Sequence, residues 1–295
     1  MDERERYFRD LTGYLIVPGV LGPEELAAAN AALDYCHAEG LVKHGEENSG
    51  ARDSQRLRGS GHVRQTSSEG LFTLPKPHCE PFRRLLAHPA VVSRLNIMCG
   101  RGFRFDHGPH YIGGVRGTAG LTMHGAGEPH RGYVAYHQQN GNSYCAGVTV
   151  SWSLADAGPG DGGFACVVGS HKSRFTMPSG VRTVDDDMGV VEQPVVEAGD
   201  VLFFMDGAQT HGTLPWNADH DRRSVLYKYA GRTATRSGRS ARLAPPEIYW
   251  GEELVEGMTP QERAVMYGPA SAPGTRDVNL IVDDSGHVTV GEENA

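Results

Sequence analysis

From residue 101 to about residue 230 the chain is a succession of short, strand-like runs divided by glycine turns. That pattern constrains the fold more than any other feature. Arg101–Phe105 alternates. The run from Gly132 to Gln138 closes at Asn140-Gly141, a dipeptide that favours a tight hairpin. Tyr144–Leu154 is a long β-branched stretch, and Asp161-Gly162-Gly163 turns the chain into Phe164–Val168. Residues 190–196, 200–204 and 224–229 complete the set. Strands this short and closely spaced predict a sandwich or barrel. The 39 glycines fit a core with many tight turns.

Helical sequence flanks this β region. A short strand, Tyr14–Val17, precedes a helix entered at Gly22-Pro23-Glu24-Glu25 and running to Cys36; proline and acids suit a first turn. Residues 80–99 read as one helix, with Phe82, Leu85, Leu86, Val91, Val92 and Leu95 on recurring faces. Thr259-Pro260 opens a late helix. Residues 41–70 carry Lys43, Arg52, Arg56, Arg58 and Arg64 and read as a surface loop. The stretch after about residue 270 reads as a loosely held polar extension. Without repeats or a linker, residues 1–295 are expected to form one domain.

Charge and cysteine usage narrow the partners. A net charge of -8 argues against nucleic-acid polymers and anionic membranes. The charged start MDERERYFRD is neither a signal nor a transit peptide, and no apolar run approaches a membrane span. Five cysteines without CxxC spacing suit a reduced, cytoplasmic protein acting on a small molecule. Oligomeric state stays open.

Two histidines stand out among 14. His124 lies in Met123-His124-Gly125-Ala126-Gly127, and His211 in Gln209-Thr210-His211-Gly212-Thr213, with Arg222-Arg223 following. Two histidines and a downstream arginine in strand-like sequence are the parts of a mononuclear iron site that also binds a 2-oxo acid. Such a site normally adds a carboxylate. Two residues after His124 stands Ala126, which cannot bind a metal. His137-Gln138-Gln139 is the rival first motif. His124 is preferred because it sits in a glycine-rich turn, whereas His137 lies inside a strand.

The order of segments resembles the phytanoyl-CoA dioxygenase family of Fe(II)/2-oxoglutarate oxygenases over most of residues 7–230. The resemblance is carried by Gly13-Tyr14-Leu15-Ile16-Val17-Pro18-Gly19-Val20-Leu21 and Glu24-Glu25-Leu26. It continues through Asp161–Val168, Gly169-Ser170-His171-Lys172, Ala198–Phe204, His211-Gly212 and Arg222. It implies a double-stranded β-helix (jelly roll) with flanking helices. It implies His124 and His211 as ligands of Fe(II), with O2 and 2-oxoglutarate as co-substrates. Arg222 would pair with the distal carboxylate of 2-oxoglutarate, since its planar fork suits bidentate binding. Arg223 is the alternative, because strand alternation lets only one point inward. Trp152 is a weaker candidate for lining that pocket.

The family motif is His-x-Asp or His-x-Glu, and this sequence departs from it at Ala126. The departure resembles the non-haem iron halogenases, in which chloride fills the position of the missing acid. The implied activity is chlorination of an unactivated carbon of a small soluble molecule. One such substrate class is the sugar of a deoxyadenosine nucleotide in antibiotic biosynthesis, its phosphate met by the arginines of residues 52–64. Two other readings stand beside it. A remote acid such as Glu128 could complete the site of a hydroxylase, or the chain could be a non-catalytic binding protein. His171 reads as structural.

Overall fold

The computed structural model describes residues 1–45, 51, 53–60, 66–125, 135–173, 175–234, 244–269 and 278–292. Thirteen of its strands make the β region: β1 (Tyr14–Val17), β2 (Lys43–His44), β3 (Thr66–Ser68), β4 (Arg104–Gly114), β5 (Leu121–His124), β6 (Tyr136–Gln139), β7 (Asn142–Cys145), β8 (Gly147–Ser153), β9 (Gly163–Val167), β10 (Val191–Glu192), β11 (Val201–Phe204), β12 (His211–Leu214) and β13 (Arg222–Ala230). Seven form one sheet in the order β1-β11-β8-β13-β4-β3-β2 and four a second in the order β10-β9-β12-β5, while β6 and β7 form a separate hairpin. The pairings are antiparallel. This is the mostly-β, jelly-roll architecture with flanking helices that the family resemblance implies, in agreement with the strand pattern.

Alternation along the strands assigns the faces. On β13, Val225, Tyr227 and Tyr229 are buried in the main core with Val150 and Trp152 of β8 and Phe203 of β11. The helices α2 (Pro23–Ala38), α3 (Cys79–Leu86) and α4 (Pro89–Met98) supply Leu33, Phe82, Leu86 and Val92 to the same cluster. The Tyr227 hydroxyl donates to the Phe82 carbonyl and the Tyr229 hydroxyl to that of Leu86, each at 2.7 Å. These two bonds fix α3 on the sheet. Phe82 is fully buried, so truncation to alanine would cost about 3–5 kcal/mol. The period of two then leaves Arg222, Ser224, Leu226 and Lys228 on the opposite face, toward the smaller sheet. Rings from both sheets meet there: Phe164 of β9 lies 4.7 Å from Phe204 of β11.

The structure revises several expectations. The helix read over residues 80–99 is two, because Pro89 lacks an N–H and starts a new helix, with the His88 ring accepting from the Ala90 amide. Tyr144–Leu154 is split at Ala146 between β7 and β8. A first helix, α1 (Glu3–Thr12), goes unread in the sequence, although Asp2 caps it. The polar extension contains a hairpin, β14 (Val278–Val282) and β15 (Val288–Glu292), whose Leu280 and Val288 join the main core. The turn at Asn140-Gly141 is present as expected, both residues having positive φ. No helix among the described residues is long and apolar enough to cross a membrane.

Candidate metal centre and active site

β5 and β12 are hydrogen-bonded neighbours, and their register places His124 directly opposite His211. The two rings are 4.3 Å apart. The His124 Nδ1–H donates to the Thr122 carbonyl and the His211 Nδ1–H to the Gln209 carbonyl, both at 2.9 Å. Each bond spans two residues of the ring's own segment. In the neutral ring the proton therefore sits on Nδ1, and Nε2 presents a lone pair. Two paired imidazoles in this tautomer are a metal-binding arrangement, with the backbone carbonyls orienting the rings.

The glycine after His124 is required. Gly125 has φ +96°, and a Cβ there would lie 2.4 Å from the Gln209 carbonyl oxygen, the atom that orients His211. His211 is buried, and its rings of contact are Phe204 at 4.7 Å and Phe164 at 6.4 Å. Burial, and then the neighbouring His124, push its pKa well below the ordinary histidine value.

Arg222 enters the same inter-sheet space from β13. It lines a small cavity with Ser151, Ser153, Phe164, Leu202 and Ser224. Its Nε passes 3.6 Å from where a Cβ of Gly163 would stand, so the guanidinium lies against β9. Burial lowers the Arg222 pKa to about 10. Arg222 forms no hydrogen bond or ion pair among the described residues. Arg223 faces the other way and is occupied: Asn30 Oδ1 accepts from it at 3.1 Å, and Asp34 Oδ1 is 2.7 Å away. Gly163 pairs with Leu214, three positions beyond His211 on β12, so the arginine end lies roughly 10 Å along the strand from the histidines.

Other expected residues are placed elsewhere. Trp152 is fully buried on the helix-facing side of β8, 5.4 Å ring to ring from His88. It alternates with Ser151 and Ser153, so these serines, not Trp152, share the cavity with Arg222. His137 is exposed on the β6–β7 hairpin, opposite Tyr144. His171 donates from Nε2 to the Asp10 carbonyl at 3.0 Å, and Lys172 pairs with the Asp10 carboxylate at 3.0 Å. The Gly-Ser-His-Lys segment thus pins the end of α1. Arg56 and Arg58 are exposed, and between them Leu57 packs on Met123 and Ala165, away from the histidine face. Ala126, Glu128, Arg52 and Arg64 lie outside the described residues. Among the described residues no three His, Cys, Asp or Glu side chains form a ready metal cage.

Two residues missed in the sequence stand beside the histidines. Asp206, on the turn after β11, is 3% exposed and places Oδ1 3.8 Å from His211 Nε2. Lys228 Nζ donates to its Oδ2 at 2.8 Å. Lys228 was legible by parity, being an even number of residues from Arg222 on one strand. Asp206 was hidden because its acid stands five residues before the second histidine, not two after the first.

A family model for phytanoyl-CoA dioxygenase (PhyH) matches residues 10–224. The chain belongs to the phytanoyl-CoA dioxygenase family. It is accordingly an Fe(II)/2-oxoglutarate-dependent oxygenase in its general class. The fold is shared with HygX from Streptomyces hygroscopicus, solved with nickel, 2-oxoglutarate and hygromycin B, at 21% identity over 80% of this chain and 89% of that one, with a TM-score of 0.63. The 2-oxoglutarate-dependent epimerase SnoN of nogalamycin biosynthesis is 20% identical over 81% of this chain and 86% of its own, with a TM-score of 0.54. AviO1 from Streptomyces viridochromogenes is 19% identical over 79% of this chain and 96% of its own, with a TM-score of 0.53. None of the curated proteins compared matches the chain in sequence.

Proposed function

We propose that this protein is an Fe(II)/2-oxoglutarate-dependent hydroxylase of a small soluble molecule, with His124 and His211 as iron ligands and Arg222 as the anchor of 2-oxoglutarate. The observation that carries the reading is the pairing of His124 with His211, each presenting Nε2, in one inter-sheet space with a half-buried arginine that has no acidic partner among the described residues. The donor set fits the group: imidazole nitrogens suit iron, and a lone half-buried guanidinium needs an anion. Iron with 2-oxoglutarate and O2 supplies the oxidising power when bound. The chain's own part is positional. Arg222 would hold the distal carboxylate through its two-pronged donor face, with Ser151, Ser153 and Ser224 lining the same cavity. Phe204 and, further off, Phe164 stand beside the His211 ring and would limit bulk water at an ion bound there.

HygX, bound to hygromycin B in one of its structures, and SnoN, from nogalamycin biosynthesis, support a small natural-product-like substrate. A nucleotide draws no support from Arg56 and Arg58, which stand on the outer face of the smaller sheet. A second reading, chlorination with chloride as a metal ligand, is favoured by one observation, Ala126 in place of the motif acid. The test is oxygen-dependent conversion of 2-oxoglutarate to succinate by the iron-loaded protein, followed by mass spectrometry of any product made with and without chloride. Oxygenated product at all chloride concentrations supports hydroxylation, and chlorine in the product supports the second reading. Iron-loaded protein that neither binds nor decarboxylates 2-oxoglutarate would leave only a binding role.

A further inference from the structure

Arg222 and the paired histidines account for one end of the inter-sheet space. At the other end β4 and β13 present His107, His110 and Lys228, which neither iron nor 2-oxoglutarate uses in the centre described above. We propose that His107 and Lys228 form its substrate-recognition subsite and select a neutral, hydroxyl-bearing small molecule, a polyol or glycoside, over a phosphate ester. This inference rests on the iron and 2-oxoglutarate reading and names a substrate class for it.

A bulge in β4 places these side chains. Phe105 and Tyr111 are buried in the main core, opposite Tyr229 and Val225 of β13. Between them the register shifts. His110 stands opposite Leu226 and His107 opposite Lys228, so residues three apart on β4 match residues two apart on β13. Both histidines therefore share the inner face with Lys228, and their rings lie 5.9 Å apart. Gly108 permits the bulge: its φ is +108°, and a Cβ there would lie 2.8 Å from the Leu226 carbonyl oxygen. Lys228 is roughly 20 Å along β13 from Arg222. It is linked to His211 through Asp206, whose Oδ2 accepts from Nζ at 2.8 Å and whose Oδ1 is 3.8 Å from His211 Nε2. The histidine pair thus stands between the arginine and the lysine. A dicarboxylate reaching from Arg222 to the histidines leaves the lysine side to another molecule.

The donors and acceptors on that side select the ligand. Asp106 is fully buried; its Oδ1 accepts from Arg104 at 2.8 Å and its Oδ2 from the His107 Nδ1–H at 2.6 Å. The neutral His107 ring is thereby held with Nε2 as an acceptor. Its side chain is 32% exposed, so a ligand can reach it. Lys228 commits one of its three N–H groups to Asp206 among the described residues. An acceptor beside a donor suits an alcohol, whose O–H donates to Nε2 while its oxygen accepts from the ammonium. A phosphate dianion has no proton for Nε2. Each cation here also has its acid, Lys228 with Asp206 and Arg104 with Asp106, so no surplus positive charge favours an anion. His110, with Nδ1 3.9 Å from Oε1 of the exposed Glu69, adds the outer wall.

The test is proton–nitrogen NMR of the histidine rings in the isotope-labelled, metal-free full chain. It is titrated with glycerol, myo-inositol and methyl α-glucoside and, at matched ionic strength, with inorganic phosphate. His107 Nε2 should shift saturably with at least one polyol and stay in place with phosphate. In Lys228→Met the apparent Kd for that polyol should rise roughly tenfold or more, the worth of one hydrogen bond to a charged group. His107→Phe, followed at the His110 ring, should weaken binding similarly, and circular dichroism checks both folds. No saturable shift with any polyol, saturation by phosphate instead, or unchanged affinity in both variants overturns the proposal. Succinate formation by iron-loaded wild type is read separately. Polyol binding without succinate supports the ligand class and overturns the iron reading, whereas succinate without polyol binding overturns the subsite alone.

Discussion

Arg222 should make the empty protein less stable and the loaded protein functional, and the two effects can be separated. Its guanidinium is half-buried without a hydrogen bond or ion pair among the described residues, and its pKa falls to about 10. Each tenfold change in proton affinity corresponds to about 1.4 kcal/mol. Holding the charge there therefore costs on the order of 3–4 kcal/mol at most, and about 1–2 kcal/mol once solvent screening of the partly accessible side chain is allowed for. Arg222→Met keeps much of the volume and removes the charge. The metal-free variant should be about 1–2 kcal/mol more stable than wild type, a rise in Tm of a few degrees (~2–4 °C per kcal/mol). The effect reverses when ligand is added. With a redox-inert divalent ion present and 2-oxoglutarate at about 100 times its Kd, wild type should gain roughly 2.7 kcal/mol. Arg222→Met loses about 2–5 kcal/mol of binding and should show a shift of less than about 1 kcal/mol at that concentration. Arg223→Met is the control. It breaks the contacts to Asn30 and Asp34, so it should lose up to about 1 kcal/mol and keep the ligand shift. A less stable Arg222→Met that still shows the full 2-oxoglutarate shift would refute the reasoning.

Three further outcomes follow from the geometry. Gly125→Ala should cost at least about 1–3 kcal/mol in thermal unfolding and weaken iron binding, because its Cβ meets the Gln209 carbonyl at 2.4 Å in a left-handed backbone; unchanged iron affinity would detach that carbonyl from the metal site. Acid sensitivity should come in part from His171, which burial holds down to about pKa 4 against an ordinary 6.5. Between those values the unfolded chain binds the proton and the folded one does not, so stability is lost as pH falls from about 6.5 to 4, by up to about 3 kcal/mol. His171→Gln should flatten that part of the profile in urea titrations, and an unaltered slope would count against it. Tyr227→Phe should lose about 1 kcal/mol, the worth of one buried bond to the Phe82 carbonyl, with iron affinity unchanged.

The β architecture was legible because glycine turns and period-two runs leave few alternatives. The same alternation told Arg222 from Arg223 only in principle. Which parity faces the smaller sheet depends on Tyr227 and Tyr229 reaching the carbonyls of α3, a tertiary fact. Trp152 failed for that reason: a tryptophan on a buried strand suits either face, and here the helices took it. The break at Pro89 and the cap at Asp2 were present as local signals, yet the long apolar pattern of 80–99 and the charges of MDERERYFRD obscured them. Asp206 lay beyond sequence reasoning because its approach to His211 depends on the β11–β12 turn folding back on that ring. The hairpin of β14 and β15 was missed because polar residues surround its few buried apolar positions.

The most direct test is an anaerobic titration of Fe(II) and 2-oxoglutarate followed by visible absorption. Wild type and His137→Ala should form the charge-transfer band of 2-oxoglutarate bound through iron, and His124→Ala and His211→Ala should not. A band that survives in His124→Ala but disappears in His137→Ala would contradict the site described here.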